Sequence, residues 1–296
     1  MIQILRRAPN PWGQDVLLGI GWDLMWAAIV AGVVFLVVHA IFAARARPSG
    51  TAPTDRTAPD LPPRIIRHSV GARLFHWTMA AAMLILLVTA FAPVMGYHFD
   101  WVTIHWIAGL ALIATVVYHV VHVVFWQRLG NVWAGAEEMR DGVAEMSNFV
   151  RGRGDPSRKP GKYPVAQKLF HNAATLAAVA AIVTGLFMMV RIDTPVFQQN
   201  QYLLGDGAWG VVYVLHGLGG VALIGLVIAH IYFAVRPEKR FLTRSMFKGW
   251  ITREEYLAHH DPTAWPVDGG KQTAEQRPIA ASPSPPPPSR AVGHAP

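Results

Sequence analysis

Residues 211–235 read VVYVLHGLGGVALIGLVIAHIYFAV, a run of 25 positions with no Asp, Glu, Lys or Arg and with histidine at His216 and His230. An α-helix rises ~1.5 Å per residue, so about 20 apolar residues cross the ~30 Å hydrocarbon core of a bilayer. The run is long enough to span. Helices are the open-chain solution in lipid, because each backbone polar group must be bonded within its own segment. Working outward, four more segments pass the same test: 24–44, 75–93, 103–126 and 169–190. The expected fold class is all-α, an integral membrane four-helix bundle with one additional N-terminal transmembrane helix.

Composition agrees. The chain has 296 residues, 52% of them hydrophobic and 15% charged, against about 25% charged in a soluble protein. Its net charge of +8 and pI near 10.0 would suit nucleic acid only if Lys and Arg covered a polar face. They lie between apolar runs instead, so membrane lipid is the expected surroundings and nucleic acid is no partner. There is no cysteine, which excludes disulfides, iron-sulfur ligation, thiolate zinc sites and covalent haem attachment. Metal chemistry is left to His, Met and carboxylates.

Lys and Arg in short loops stay on the cytoplasmic side. Six arginines (45, 47, 56, 64, 67 and 73) separate the first two runs, and eight Lys or Arg from Arg128 to Lys168 separate the third and fourth. Arg236, Lys239, Arg240, Arg244 and Lys248 follow the fifth. The loop 94–102 has none, and 191–210 has Arg191 alone. The N-terminus and those two loops are expected outside and the C-terminal tail in the cytoplasm. The first run is too long for a signal-peptide core and ends in basic residues, so it reads as a retained helix. Four regions result: 1–45 with the extra helix, a flexible linker 46–66, the core 67–263, and a Pro-rich disordered tail 264–296.

An imidazole in a lipid-spanning helix is costly without a partner, so each marks a candidate site. His76, His105, His119, His171, His216 and His230 lie in or at the rim of the last four runs, with His122 nearer the cytoplasmic end. His39 in the first run reads as an interhelical hydrogen bond. His216 and His230 are 14 residues apart, so they share a helix face at depths ~21 Å apart. By depth His105 is level with His216, and His76 with His230. Two imidazoles across a bundle hold a b-type haem without cysteine. His105 and His119 are also 14 apart, so spacing leaves His119 open as the partner of His230. Gly109 and Gly220 each follow an outer histidine by four, with Gly217 and Gly219 beside the second. They suit close approach of a flat macrocycle, or helix packing.

These residues resemble the cytochrome b (gamma) subunit of membrane-bound respiratory formate dehydrogenases, over about 67–265. The pieces are Phe75-His76-Trp77, His105-x-x-x-Gly109, Gly161-Lys162-Tyr163 with Gln167-Lys168, Thr184-Gly185, His216-x-x-x-Gly220 with His230, and His259-His260 with Pro262 and Trp265. The resemblance implies two b-type haems, the outer held by His105 and His216 and the inner by His76 and His230. It implies electrons taken from an iron-sulfur (beta) subunit attached to a catalytic molybdenum or tungsten (alpha) subunit. They would pass to a quinone, menaquinone or ubiquinone, on the cytoplasmic side near His230, Tyr163 and Gln167. Hydrogenase cytochrome b subunits and those of other molybdenum enzymes share this core, and a haem-free membrane anchor is a further alternative. The chain holds no donor-oxidising chemistry of its own, so it is expected as a subunit. An electron moving inward works against ~2.3 kcal/mol per 100 mV, which calls for a strongly reducing donor.

Two departures stand out. Pro164 replaces the Asn usual after Gly-Lys-Tyr, removing both an amide and an N–H. The leading helix lies outside the core pattern and is expected to replace an anchor helix of a partner. Tryptophans at the run ends read as an interfacial belt. Arg191 and Asp193 read as a helix end, and His259-His260 as a fold-back of the tail.

Overall fold

The computed structural model describes residues 3–45, 61–126, 134–151, 159–195 and 198–267. Linker residues 46–60, tail residues 268–296 and Arg128, Arg153 and Arg158 of the basic loop lie outside this set. In chain order the helices are α1 (Trp22–Arg45), α2 (Val70–Phe91), α3 (Trp101–Trp126), α4 (Ala136–Val150), α5 (Val165–Met189), α6 (Asp206–Val235), α7 (Arg240–Lys248) and α8 (Arg253–His259). Five of them, α1, α2, α3, α5 and α6, are long and apolar enough to cross a membrane. The chain is a membrane helical bundle. Its flanks carry exposed apolar side chains along whole helices, such as Val38 at 60% and Leu176 at 74%, the kind of surface that lipid or a partner protein covers.

Local chemistry sets the helix ends. Ser69 accepts from the Ala72 amide at the start of α2, the hydroxyl cap an N-terminus favours. Pro164 precedes α5; its carbonyl accepts from the amides of Gln167 and Lys168. α6 stops at Arg236 before Pro237, where the αR conformation is disfavoured. Gly249 closes α7 with φ +86, a left-handed turn that glycine adopts without strain.

α2 packs on α3 and α5 on α6; α3 meets α5, and α2 meets α6. The four form a ring in the order α2, α3, α5, α6, so α3 and α6 face each other across it. α1 lies outside this ring on α6. Gly32 lies against the Ile228 side chain, where a Cβ would make ordinary contact at 3.5 Å, and His39 Nδ1 meets Tyr232 Oη at 3.0 Å, the expected interhelical bond.

Two short ribbons add to the helices. β1 (Leu5–Pro9) and β2 (Asp15–Ile20) pair antiparallel ahead of α1, where the sequence suggests no strand. β2 lies on the first half of α6: a Cβ at Gly210 would sit 2.7 Å from Leu17 Cβ, and one at Gly217 2.7 Å from Ile20 Cγ1. At the opposite end, β3 (Arg64–Ile66) pairs with β4 (Trp250–Thr252). With α7 and α8 they form a cap whose core is Ile65, Phe241, Ile251 and Tyr256, packed by Leu61, Trp265 and Val267. Part of the stretch read as linker and the start of that read as tail therefore join this cap.

Candidate functional site: facing imidazoles at two levels

At the hairpin end, His105 of α3 faces His216 of α6 with ring centres 6.2 Å apart. At the cap end, His76 of α2 faces His230 of α6 at 6.1 Å. A metal-bound imidazole nitrogen lies about 2.0–2.1 Å from the ion, so two rings gripping one ion from opposite sides have centres roughly 6 Å apart. The spacing fits a shared metal. His119, the other partner that spacing allows for His230, faces His171 instead.

Buried threonines fix the first pair. The Thr89 hydroxyl donates to Ile85 O at 2.8 Å, leaving its lone pairs for His105 Nδ1 at 2.7 Å. The Thr184 hydroxyl donates to Ala180 O at 2.6 Å and meets His216 Nδ1 at 3.1 Å. His216 Nδ1 also lies 3.1 Å from Ala181 O. A carbonyl only accepts, so Nδ1 carries the proton and Nε2 keeps its lone pair, the tautomer of a metal ligand. Such supporting bonds set ring orientation and ligand basicity. The second pair is held by aromatic faces: Phe170 stacks on His230 at 5.2 Å and Trp77 meets His76 edge-on at 5.2 Å. Thr184 belongs to the motif quoted above; Thr89 carries no signal by itself, since one hydroxyl in an apolar helix usually bonds its own preceding turn.

The glycines divide by role. Nothing lies within 4 Å of a Cβ built on Gly109 or Gly220, so neither admits a neighbouring helix, and both keep a face clear one turn from a histidine. Gly219 instead packs on α5, where a Cβ would sit 3.2 Å from Ala177 O, and Gly217 packs on Ile20. Those two serve packing rather than a macrocycle. Among the described residues no group of three or more His, Cys, Asp or Glu gathers as a metal cluster.

Tyr163 and Gln167 lie at the cap end. The Arg67 guanidinium, 2% exposed, stands over the Tyr163 ring at 5.4 Å and the Trp265 ring at 5.5 Å. It donates to Lys162 O at 2.7 Å and meets His260 Nε2 at 3.1 Å. Burial lowers the Arg67 pKa to about 10 and raises that of Tyr163. Gln167 lies in the first turn of α5, one turn before His171. His260 Nδ1 meets Gly161 O at 2.8 Å, which ties the end of α8 to the Gly-Lys-Tyr loop, while His259 stacks on Phe241 of α7 at 4.5 Å. Arg191 bonds Tyr213 Oη and covers the Trp209 ring, while Asp193 accepts from the Gln199 amide at 3.0 Å.

The cap's stability depends on pH. Burial, then Arg67, lowers His260 to about 4; burial and neighbouring cations lower His68 to about 3. Both fall below the unfolded value near 6.5, so both contribute stability that is complete above pH ~6.5 and is lost as pH falls towards 4 and 3. The slope for each is at most ~1.4 kcal/mol per pH unit. Amide exchange in β4 and α8, corrected for intrinsic rates, is expected to accelerate through this window, and His260→Gln to flatten part of the slope. Equal slopes in both proteins would refute the His260 contribution.

A membrane bundle with imidazoles facing across its interior belongs with the helical membrane cytochromes. The chain is a member of the prokaryotic cytochrome b561 family, whose sequence pattern matches residues 67–249. It is thereby a multi-pass bacterial membrane protein and an electron-transfer subunit of the cytochrome b561 type, and the family implies b-type haem. Over 213 residues it is 24% identical to the formate dehydrogenase cytochrome b556 subunit of Haemophilus influenzae, a match covering 67% of this chain and 81% of that protein. The hairpin and α1 precede the family match; α8 and His260 follow it.

Proposed function

We propose that the chain is the cytochrome b subunit of a respiratory formate dehydrogenase, in which two b haems supply one-electron transfer from an iron-sulfur partner to quinone. The observation that carries the two-haem reading is the pair of facing imidazole sites, His105–His216 and His76–His230, at two levels of α6; the likeness to a formate dehydrogenase cytochrome b556 subunit supports formate as the donor. His105 and His216 hold the haem at the hairpin end, oriented by Thr89 and Thr184. His76 and His230 hold the other. The Lys and Arg distribution supports a cytoplasmic cap and an outer hairpin, and on that reading the partner and its molybdenum or tungsten subunit dock at the hairpin end. Tyr163 and Gln167 lie at the end where quinone takes up protons. Pro164 offers neither an amide side chain nor an N–H there.

The test is a reduced-minus-oxidised spectrum of membranes given formate, with pyridine haemochrome quantitation on the purified chain. Formate-driven b-haem reduction and quinone-dependent reoxidation are expected. Reduction by hydrogen but not formate would assign the chain to a hydrogenase, and absence of haem would leave a membrane anchor. Thr184→Val should keep the haem of the hairpin end but weaken it by roughly 10–100-fold, the cost of removing a supporting hydrogen bond to a ligand. Haem titration of the apoprotein measures this; unchanged affinity would remove Thr184 from the site.

A further inference from the structure

The bundle is built twice from one pattern. Arg73-Leu74-Phe75-His76 in α2 returns as Lys168-Leu169-Phe170-His171 in α5, and Ala82 and Thr89 return as Ala177 and Thr184, each 95 positions later. In α3 and α6, His105, Gly109, Leu112 and His119 return as His216, Gly220, Leu223 and His230, each 111 positions later. The helices begin in the same register, α2 at Val70 and α5 at Val165. Contacts repeat with the residues. Thr89 meets His105 as Thr184 meets His216. Phe75 stacks on His119 at 4.3 Å as Phe170 does on His230 at 5.2 Å. The α2–α3 hairpin and the α5–α6 hairpin are therefore related by a pseudo-dyad through the bundle.

His105 and His216 are each other's counterparts, so their pair lies on that dyad and occurs once. His76 and His230 are not counterparts, so their pair must have a twin, made of His171 and His119. The twin is present: its ring centres are 6.0 Å apart at 59°, against 6.1 Å at 52° for His76 and His230. A water bridging two imidazoles would hold them about 1.6 Å further apart, because hydrogen bonds of about 2.8 Å replace coordinate bonds of about 2 Å. A free divalent cation here would lie within lipid-spanning helices that hold no carboxylate in their interior, and an uncompensated charge there is expensive. A porphyrin dianion neutralises ferrous iron and leaves ferric iron with a single positive charge, against two on a free divalent cation.

We infer that His119 and His171 form a third bis-imidazole site, the twin of His76–His230, which takes the iron of a b haem between α3 and α5. This rests on the reading of the other two pairs as haem sites. The shared chemistry is a metal with two open coordination positions, so haem iron and a free ion such as zinc or copper must be told apart. Haem and metal content of the purified chain do this, with low-spin electron paramagnetic resonance signals as a second measurement. Three b haems per chain are expected, falling to two in His119→Ala and in His171→Ala. In each variant the two surviving signals show that the bundle has folded. Should either alanine variant prove unstable, His171→Phe gives the same readout. Two haems per chain, unchanged in all three variants, overturn the proposal, whether or not zinc or copper is found. No haem in the parent chain would instead defeat the reading on which it rests, as would insensitivity to His76→Ala and His105→Ala.

Discussion

His76→Ala is expected to remove one b haem per chain and abolish quinone-dependent reoxidation, while His119→Ala leaves the haems held by His105–His216 and His76–His230 in place. The two histidines are close rivals on helical arithmetic, since His119 lies as far from His105 as His230 does from His216. Geometry separates them: His76 faces His230 at 6.1 Å, and His119 is turned to His171 with its other face against Phe75. Losing a residue that would hold the haem should cost more than the ~10–100-fold that follows from disturbing a supporting residue. Pyridine haemochrome quantitation with a quinone-reoxidation trace on each variant reads the outcome. Reoxidation lost in His119→Ala and kept in His76→Ala would transfer the quinone-side haem to His119.

The spans were legible because lipid leaves one solution for a long uncharged run, and the observed helices begin two to five residues before those runs because their first turns carry polar residues such as Arg73 and Gln167. The depth of each histidine was legible from the same arithmetic. Rotation was less so: Gly217 and Gly220 lie three residues apart, yet one packs on Ile20 and the other keeps an open face. The N-terminal ribbon escaped notice because its strands are short and mixed, and what fixes them is packing on α6 through Leu17 and Ile20. The cap escaped for another reason. Arg67 and His260 lie 193 positions apart, and no local pattern announces such a contact. The internal repeat was present in the letters throughout, in the Arg-Leu-Phe-His and Lys-Leu-Phe-His words, but it appears only when α2 is set against α5 and α3 against α6.

His105→Ala should have the larger consequence for the donor side. It removes a ligand from the pair at the hairpin end, where electrons enter on the proposed orientation, and leaves Thr89 without the imidazole it meets at 2.7 Å. The remaining level lies ~21 Å away along α6, a span set by the 14 residues from His216 to His230 at ~1.5 Å each. Formate should therefore cease to reduce any haem in the variant, although dithionite still reduces the haem held by His76 and His230. Thr89→Val makes the graded comparison, since it keeps both ligands and removes only the bond that orients one; there formate-driven reduction should persist with a shifted haem potential. Three chains, parent, Thr89→Val and His105→Ala, would then separate ligand from support by the same trace. If formate still reduced the haem at the cap end in His105→Ala, electrons would be entering elsewhere, and the orientation drawn from the Lys and Arg distribution would have to be reversed.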